Sequence, residues 1–379
     1  MKILNVMSLD WTYKSGLQGF SSAVVTRQWS GIGVLQLEIN SEIPNAALIQ
    51  EDDILWFDKE YHRAYIVERI EEVLENGTVV YSITAPSVDC LLKDFITVPP
   101  TGQGYDVVTG TREQVVRTWV DHNCITPDDV TRAQYPIVLG DLKGLGDSIT
   151  EQTRYKPLDE EISRVLGPQD LGWGLRLDPA NERFVFEVFE GVDRTINAPD
   201  YAPRVIFGLQ YGNIAGYKKT RDKTAARTSV YVGGQGEGAA RTIVKVEPAG
   251  ISGRRKEMFV DARDTDLTAD LQERGRQALI EAEQISNFEF ETLDRQFRYE
   301  QEYDLGDFVT VVQDKNEYQD LQIKVIRETY ERGRLQVVPE FGKPQRTIGK
   351  VINTISTRVA ALETSEVTSD TGDIDGGGV

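Results

Sequence analysis

His122 and Cys124 stand two residues apart, and an imidazole beside a thiol is the beginning of a Cys-His nucleophile or of half a metal site. The rest of such a site would have to come from afar, because the chain contains no CxxC and no HExxH. His62 is the only other histidine, which limits imidazole chemistry further. The densest carboxylate run is Asp261, Asp264, Asp266 and Asp270. An EF-type calcium loop needs a glycine at its sixth position and a glutamate at its twelfth. Counted from Asp264, those positions hold Ala269 and Gly275, so these acids are expected to favour a helix N-terminus instead. Gly233-Gly234-Gln235-Gly236-Glu237-Gly238 follows a strand pattern as a phosphate loop would. No Gly-Lys-Ser/Thr follows it and Glu237 would repel phosphate, so a strand connection is expected there. Paired acids for glycoside hydrolysis need only proximity in space, and nothing marks any pair. No catalytic, metal-binding or cofactor-binding residue is assigned, no cofactor is expected, and the chain is read as not an enzyme.

The elements that would have to position any site lie on a chain of 379 residues with 42 Lys+Arg against 61 Asp+Glu, a net charge of −19. At ~100–200 residues per domain, that length suggests two to four domains. A hydrophobic content of 40% fits a chain with buried cores. No apolar run approaches the ~18–20 residues of a membrane helix. The start, Met1-Lys2-Ile3-Leu4-Asn5, meets Asp10 before an apolar region forms, so no secretory signal and a soluble protein made in a cytoplasm are expected. The acidic balance argues against a protein that grips nucleic-acid phosphates. It is compatible with lining a passage through which DNA slides without sticking. Lys218-Lys219 and Arg254-Arg255-Lys256 have acids nearby and read as solvated faces. Cys90 and Cys124 sit in apolar contexts and are expected to be buried free thiols.

Residues 1–100 read as β-structure. Leu35-Gln36-Leu37-Glu38-Ile39-Asn40 alternates with the period of a half-buried strand. Ala64-Tyr65-Ile66-Val67 and Val79 to Thr84 flank Asn76-Gly77, which is expected to be the turn of a hairpin running from Ile66 to Ala85. Residues 101–203 read as an α+β middle section. Thr111 caps a helix running to Val120, a second helix spans Leu158 to Leu166 and stops at Gly167-Pro168, and Arg183 to Phe189 is a strand. Residues 204–345 return to β, including Thr228 to Val232, with a helical insertion at about 264–286. That helix is placed from Asp266 to Ile285, with Asp266 or Thr268 near its N-cap and Leu267, Leu271, Ala278 and Ile285 on its apolar face. Strands are expected to resume from Phe288.

The two β regions resemble each other. Asp53 to Tyr61 and Asp307 to Tyr318 each give a short strand after an acid, then an Asp-Lys loop ending in Glu-Tyr, before a long hairpin. The fold expected is therefore mainly β: two small β-barrel-like domains with an α+β insertion and a C-terminal helix. In that helix, 346–365, Ile348, Ile352, Ile355, Val359 and Leu362 are spaced 4, 3, 4, 3, as a coiled-coil seam requires. Isoleucine at both seam positions favours trimers, so these five are the expected oligomerisation residues. Residues 366–379 form an acidic, Gly-rich tail.

Three stretches carry a resemblance: Tyr231 to Arg241, Arg254 to Asp264 and Tyr303 to Val311. Together with Trp29-Ser30-Gly31 and Ala85-Pro86-Ser87-Val88-Asp89-Cys90-Leu91-Leu92, they resemble the Gp37-like tail proteins of siphophages, which are similar in turn to phage baseplate hub and tail-associated proteins. The resemblance covers residues 1–345 in order, and its motifs are turns and strands rather than catalytic signatures. It implies a virion protein, a homotrimeric baseplate hub assembled in the host cytoplasm. Such a hub closes the distal end of the tail tube, with two related domains per chain turning three-fold into six-fold symmetry. Its partners would be the tail tube or a distal tail protein, and a tail spike, fibre or other tail-tip protein, with DNA passing through during ejection. Many tail-associated relatives carry a C-terminal peptidase or lysin domain, whereas this sequence stops shortly after its C-terminal helix, so cell-wall cleavage is not expected of it. Two other classes stay open, a tail-associated cell-wall hydrolase and a host-receptor-binding module. The latter would need aromatics such as Trp119 or Trp173 to form an exposed sugar platform.

Overall fold

Alternating apolar side chains build the first sheets of the computed structural model, which describes residues 2–342 apart from 76, 199–202, 249–252, 264–266, 283–284, 294–295, 315–316 and 332. Eight strands come first: β1 (Ile3–Met7), β2 (Tyr13–Gln18), β3 (Ser22–Gln28), β4 (Val34–Asn40), β5 (Ile54–Phe57), β6 (Ala64–Ile66), β7 (Arg69–Glu75) and β8 (Thr78–Pro86). They form two layers, β2-β1-β5-β6 and β3-β4-β8-β7. Leu4, Val6, Leu55 and Phe57 of the first layer pack on Val25, Leu35, Leu37 and Ile83 of the second. Glu75 pairs with Thr78 and Gly77 takes φ +86°, so a two-residue turn closes β7 on β8, as its sequence demands. A bridge from Tyr65 to Ser87 links the layers on one side. The closed barrel expected from the sequence does not form among the described residues. β2 and β3 are consecutive but unpaired, and the edge of β3 is taken by a strand some 300 residues away.

The middle section comprises α1 (Cys90–Lys93), β9 (Asp106–Thr111), α2 (Arg112–Val120), β10 (Ile137–Leu139), β11 (Ser148–Thr153), α3 (Leu158–Leu166), β12 (Gly172–Asp178) and β13 (Arg183–Phe189). Thr111 caps α2 reciprocally with Gln114, and Gly167-Pro168 ends α3 in a 3-10 turn. Trp119 and Trp173 are buried in its core, so neither offers a sugar platform. That core continues onto the back of β5 through Ile54 and Trp56, which explains why all four residues of β5 are apolar and buried. The buried Glu113 carboxylate accepts the backbone N–H groups of Lys143 and Leu145 and fixes the loop before β11.

The last part holds β14 (Ile206–Gly208), β15 (Ile214–Asp222), β16 (Ser229–Gly233), β17 (Ile243–Val246), β18 (Glu257–Asp261), α4 (Thr268–Glu281), β19 (Ile285–Thr292), β20 (Phe308–Asp314), β21 (Glu317–Glu331) and β22 (Arg334–Gly342). β21 is long enough to pair with β20 in its first half and with β22 in its second. Between β15 and β19 sits a separate sheet, β17-β16-β18, on which α4 packs through Leu271 against Val230 and Val232. The helix is shorter than its sequence suggests. Leu267 is exposed ahead of it and Ile285 begins β19, where pairing with β15 takes over from helical spacing. Asp264 and Asp266 lie outside the described residues. The glycine run after β16 is a strand connection. Gly234 N–H donates to Thr242, Thr242 N–H donates to Gln235, and Arg241 donates to the Gly233 and Gly234 carbonyls.

Candidate functional site: a sheet shared by two repeats

β3-β4-β8-β7 and β15-β19-β22-β21 have the same order, with the first, second, fourth and third strands of each run side by side. The two stretches that resemble each other in sequence form β5 and β20 with the loops after them, each just ahead of its hairpin. The copies differ in three places. One unbroken β21 replaces β6 and β7. β14 runs parallel to β20, whereas β1 runs antiparallel to β5. Residues 29–33 join β3 to β4, whereas 223–284, with the small sheet and α4, join β15 to β19.

The copies are fused into one sheet. β21 lies antiparallel on β3, with Glu328 opposite Val25 and Tyr330 opposite Ala23. The third strand of one repeat thus meets the first strand of the other, and β7 and β15 are left at the two outer edges of the sheet.

Ionic groups fill the junction beneath β21 and β3. Arg63, 4% exposed, reaches Glu328, 1% exposed, at 3.1 Å. It also donates to the Tyr299 hydroxyl at 2.7 Å and pairs with Glu300. Arg27 on β3 pairs with Asp304 at 3.0 Å and donates to the same tyrosine. Tyr330 O–H donates to Glu328. Burial alone would lower the pKa of Arg63, but Tyr299, Glu328 and Glu300 around it hold the guanidinium above its ordinary value. His62 touches solvent at the rim of the cluster. Desolvation by its neighbours and the charges of Arg27 and Arg63 still push it down to about 4, so it is neutral at pH 7.

Trp29, at the end of β3, ties both repeats to the middle section. Its Nε1–H donates to the Asp170 carbonyl at 2.7 Å, and Ser30 O–H donates to Leu171 at 2.9 Å. Gln322 and Lys324 of β21 donate to Asp170 as well. The indole is pressed between Gly172 and Gly306. A Cβ on Gly172 would stand 2.7 Å from the ring, and one on Gly306 2.1 Å. Asp89 makes a second tie, accepting Leu175 N–H at 2.6 Å and Ser87 O–H at 2.7 Å.

Burial outweighs those two bonds and raises the Asp89 pKa from 3.8 to about 6. The native state therefore binds more protons than the unfolded chain across that range. Its contribution to stability is complete below about pH 4 and is lost as the pH rises through about 6. Asp89→Asn keeps an acceptor for Leu175 without the charge. It is expected to flatten the calorimetric Tm between pH 4 and 7 and to add roughly 2 kcal/mol at pH 7.

On the sheet face turned away from the cores, Glu38, Glu71, Glu289, Glu291, Glu331 and Glu340 outnumber Arg69, Lys218, Arg327 and Arg334. Arg327 pairs with Glu340 and Lys218 with Glu289, and the excess is acidic. Among the described residues, His122 and Cys124 are each held in separate surroundings. His122 Nδ1 is 2.9 Å from the buried Asp106 carboxylate, and Cys124 is buried with its thiol pushed up to about 12 by desolvation. Cys90 is likewise buried and raised. Ile348, Ile352, Ile355, Val359 and Leu362 lie outside the described residues. The junction residues Arg63 and Glu328 carry no sequence signal of their own, whereas Trp29, Asp89 and Gly306 fall inside stretches that do.

The model of the family described as Siphovirus ReqiPepy6 Gp37-like protein matches residues 3–343. The 43 kDa tail protein of prophage MuSo2 from Shewanella oneidensis has a similar fold, with a TM-score of 0.55 and 12% identity over 89% of this chain and 98% of that one. So does the tail protein from Neisseria meningitidis MC58, with 0.53 and 13% over 90% of this chain and 96% of that one. No curated protein matches by sequence.

Proposed function

The chain belongs to the family of Siphovirus ReqiPepy6 Gp37-like proteins, and we propose that it is a structural component of the phage tail tip: a non-enzymatic baseplate hub of which three copies close a ring. One observation carries this reading. Two like four-stranded runs are joined side by side in a single sheet, so three chains would present six equivalent runs to a six-fold partner.

The two rims of the sheet support the same reading. At one rim both repeats end in hairpins, whose last pairs are Glu75 with Thr78 and Glu331 with Arg334. At the other, the first repeat carries the middle section and the second carries the small sheet with α4. A three-chain ring would thus show six like hairpins on one side, fit for a tail tube or distal tail protein. The other side would show three-fold decoration, fit for a spike, fibre or other tail-tip protein. The acidic excess on the open face of the sheet suits a lumen that DNA crosses without adhering, since like charges repel.

Sedimentation of the full chain across a concentration series tests the reading. The expected species is near three masses of a 42.6 kDa chain, and a monomer throughout would overturn the ring. The double variant Ile355→Asp, Leu362→Asp is expected to weaken that species, and an unchanged mass would remove the C-terminal seam from the account. A zymogram on host cell walls is expected to stay uncleared; clearing would favour a hydrolase.

A further inference from the structure

The internal junction between the repeats is a template for one between chains. Counting from the two hairpin turns, Glu72 occupies the place of Glu328 and Leu74 that of Tyr330. Carrying the register across each sheet, Thr84 opposite Gln36 matches Glu340 opposite Glu289. Tyr217 then takes the place of Ala23, Lys219 that of Val25 and Arg221 that of Arg27. An arginine therefore stands at the same point of both first strands, and a glutamate at the same point of both third strands.

Resting on the ring reading above, we propose that β7 of one copy pairs antiparallel with β15 of the next, in the register that β21 and β3 use within the chain. Glu72 then faces Lys219, Leu74 faces Tyr217, and Ile70 faces Arg221. The occupant of each edge is a second copy of this chain because the edges are complementary. Glu71 and Glu72 lie on β7, and Lys218, Lys219 and Arg221 lie on β15. Leu74, 72% exposed, and Tyr217, 45% exposed, would cover one another. The contact is head-to-tail and repeats the fused junction, so each added copy leaves the same two edges until the ring closes.

Directly opposed residues of an antiparallel pair have Cα separations within the range a disulfide spans. The full chain carrying Leu74→Cys and Tyr217→Cys is expected to form covalent trimers under mild oxidation, with Cys90 and Cys124 buried and inert. Val73→Cys with Tyr217→Cys, whose side chains leave opposite faces, is expected to give none. Lys219→Glu should weaken trimer association about tenfold or more, and adding Glu72→Lys should restore it. A wild-type trimer whose Leu74/Tyr217 pair does not cross-link, with no rescue by the charge swap, overturns this seam and leaves the ring standing. A wild-type chain that is monomeric at every concentration removes both.

Discussion

Arg63→Met is expected to lower unfolding stability by about 3–5 kcal/mol, read as a drop in the urea midpoint at unchanged slope. Methionine fills a similar volume, so the cost is electrostatic. Glu328, 1% exposed, would be left without its guanidinium partner and with Tyr330 as its remaining hydrogen-bond donor. Glu300 would lose its guanidinium partner, and Tyr299 would keep only Arg27 and lose the Arg63 cation–π contact at 5.4 Å. Removing the stranded charge as well, in Arg63→Met with Glu328→Leu, is expected to recover most of the loss, because a buried ion pair stabilises little relative to apolar groups of the same size. Additive losses in the double variant would mean that the two side chains act separately.

Gly306→Ala tests the other junction. Gly306 sits at φ +91°, where a side chain costs about 1 kcal/mol, and its Cβ would lie 2.1 Å from the Trp29 ring. The indole is hydrogen-bonded to Asp170 and backed by Gly172, so it has no room to retreat. We expect about 3–4 kcal/mol from backbone and overpacking together. Trp29→Ala alone is expected to lose about 3–5 kcal/mol. On that background the added methyl has space, and the Gly306→Ala penalty should fall to the backbone share of about 1 kcal/mol. A full penalty in both backgrounds would show that the ring is not the obstacle.

Local features of this fold were legible because their causes are local. The Thr111 cap, the Gly167-Pro168 stop, the alternation through Leu35 to Ile39 and the turn at Gly77 each act within a few residues, and the structure places them as the sequence does. The likeness of Asp53 to Tyr61 and Asp307 to Tyr318 was legible because both stretches meet one architectural need. Ile285 was misread because its spacing from Leu271 and Ala278 suits a helix, while pairing with a distant strand decides its state. Open sandwiches stand in place of barrels for a related reason, since no local signal tells β3 to prefer β21 over β2. Arg63 and Glu328, 265 residues apart, look in sequence like any other surface charges. The candidate assembly edges were hidden likewise, because Lys218-Lys219 read as a solvated face and showed their counterpart on β7 only once the strand order was known.

The pairing of β3 with β21 has a consequence for how the chain is made. β3 leaves the ribosome early, and its partner follows only after about 300 further residues, roughly 15–60 s at ~5–20 residues per second. The N-terminal layers and the middle section have their own cores and can fold in that interval. Arg27 lacks its acidic partner until Asp304 is made, and the β3 edge stays open until β21 arrives. Completion of the sheet is thus the last and least local step of folding, and loop-closure entropy makes it slow. During that interval the open edge is a template on which another unfinished chain could pair in place of β21, so slower completion of the chain is expected to lower the yield of correctly folded protein.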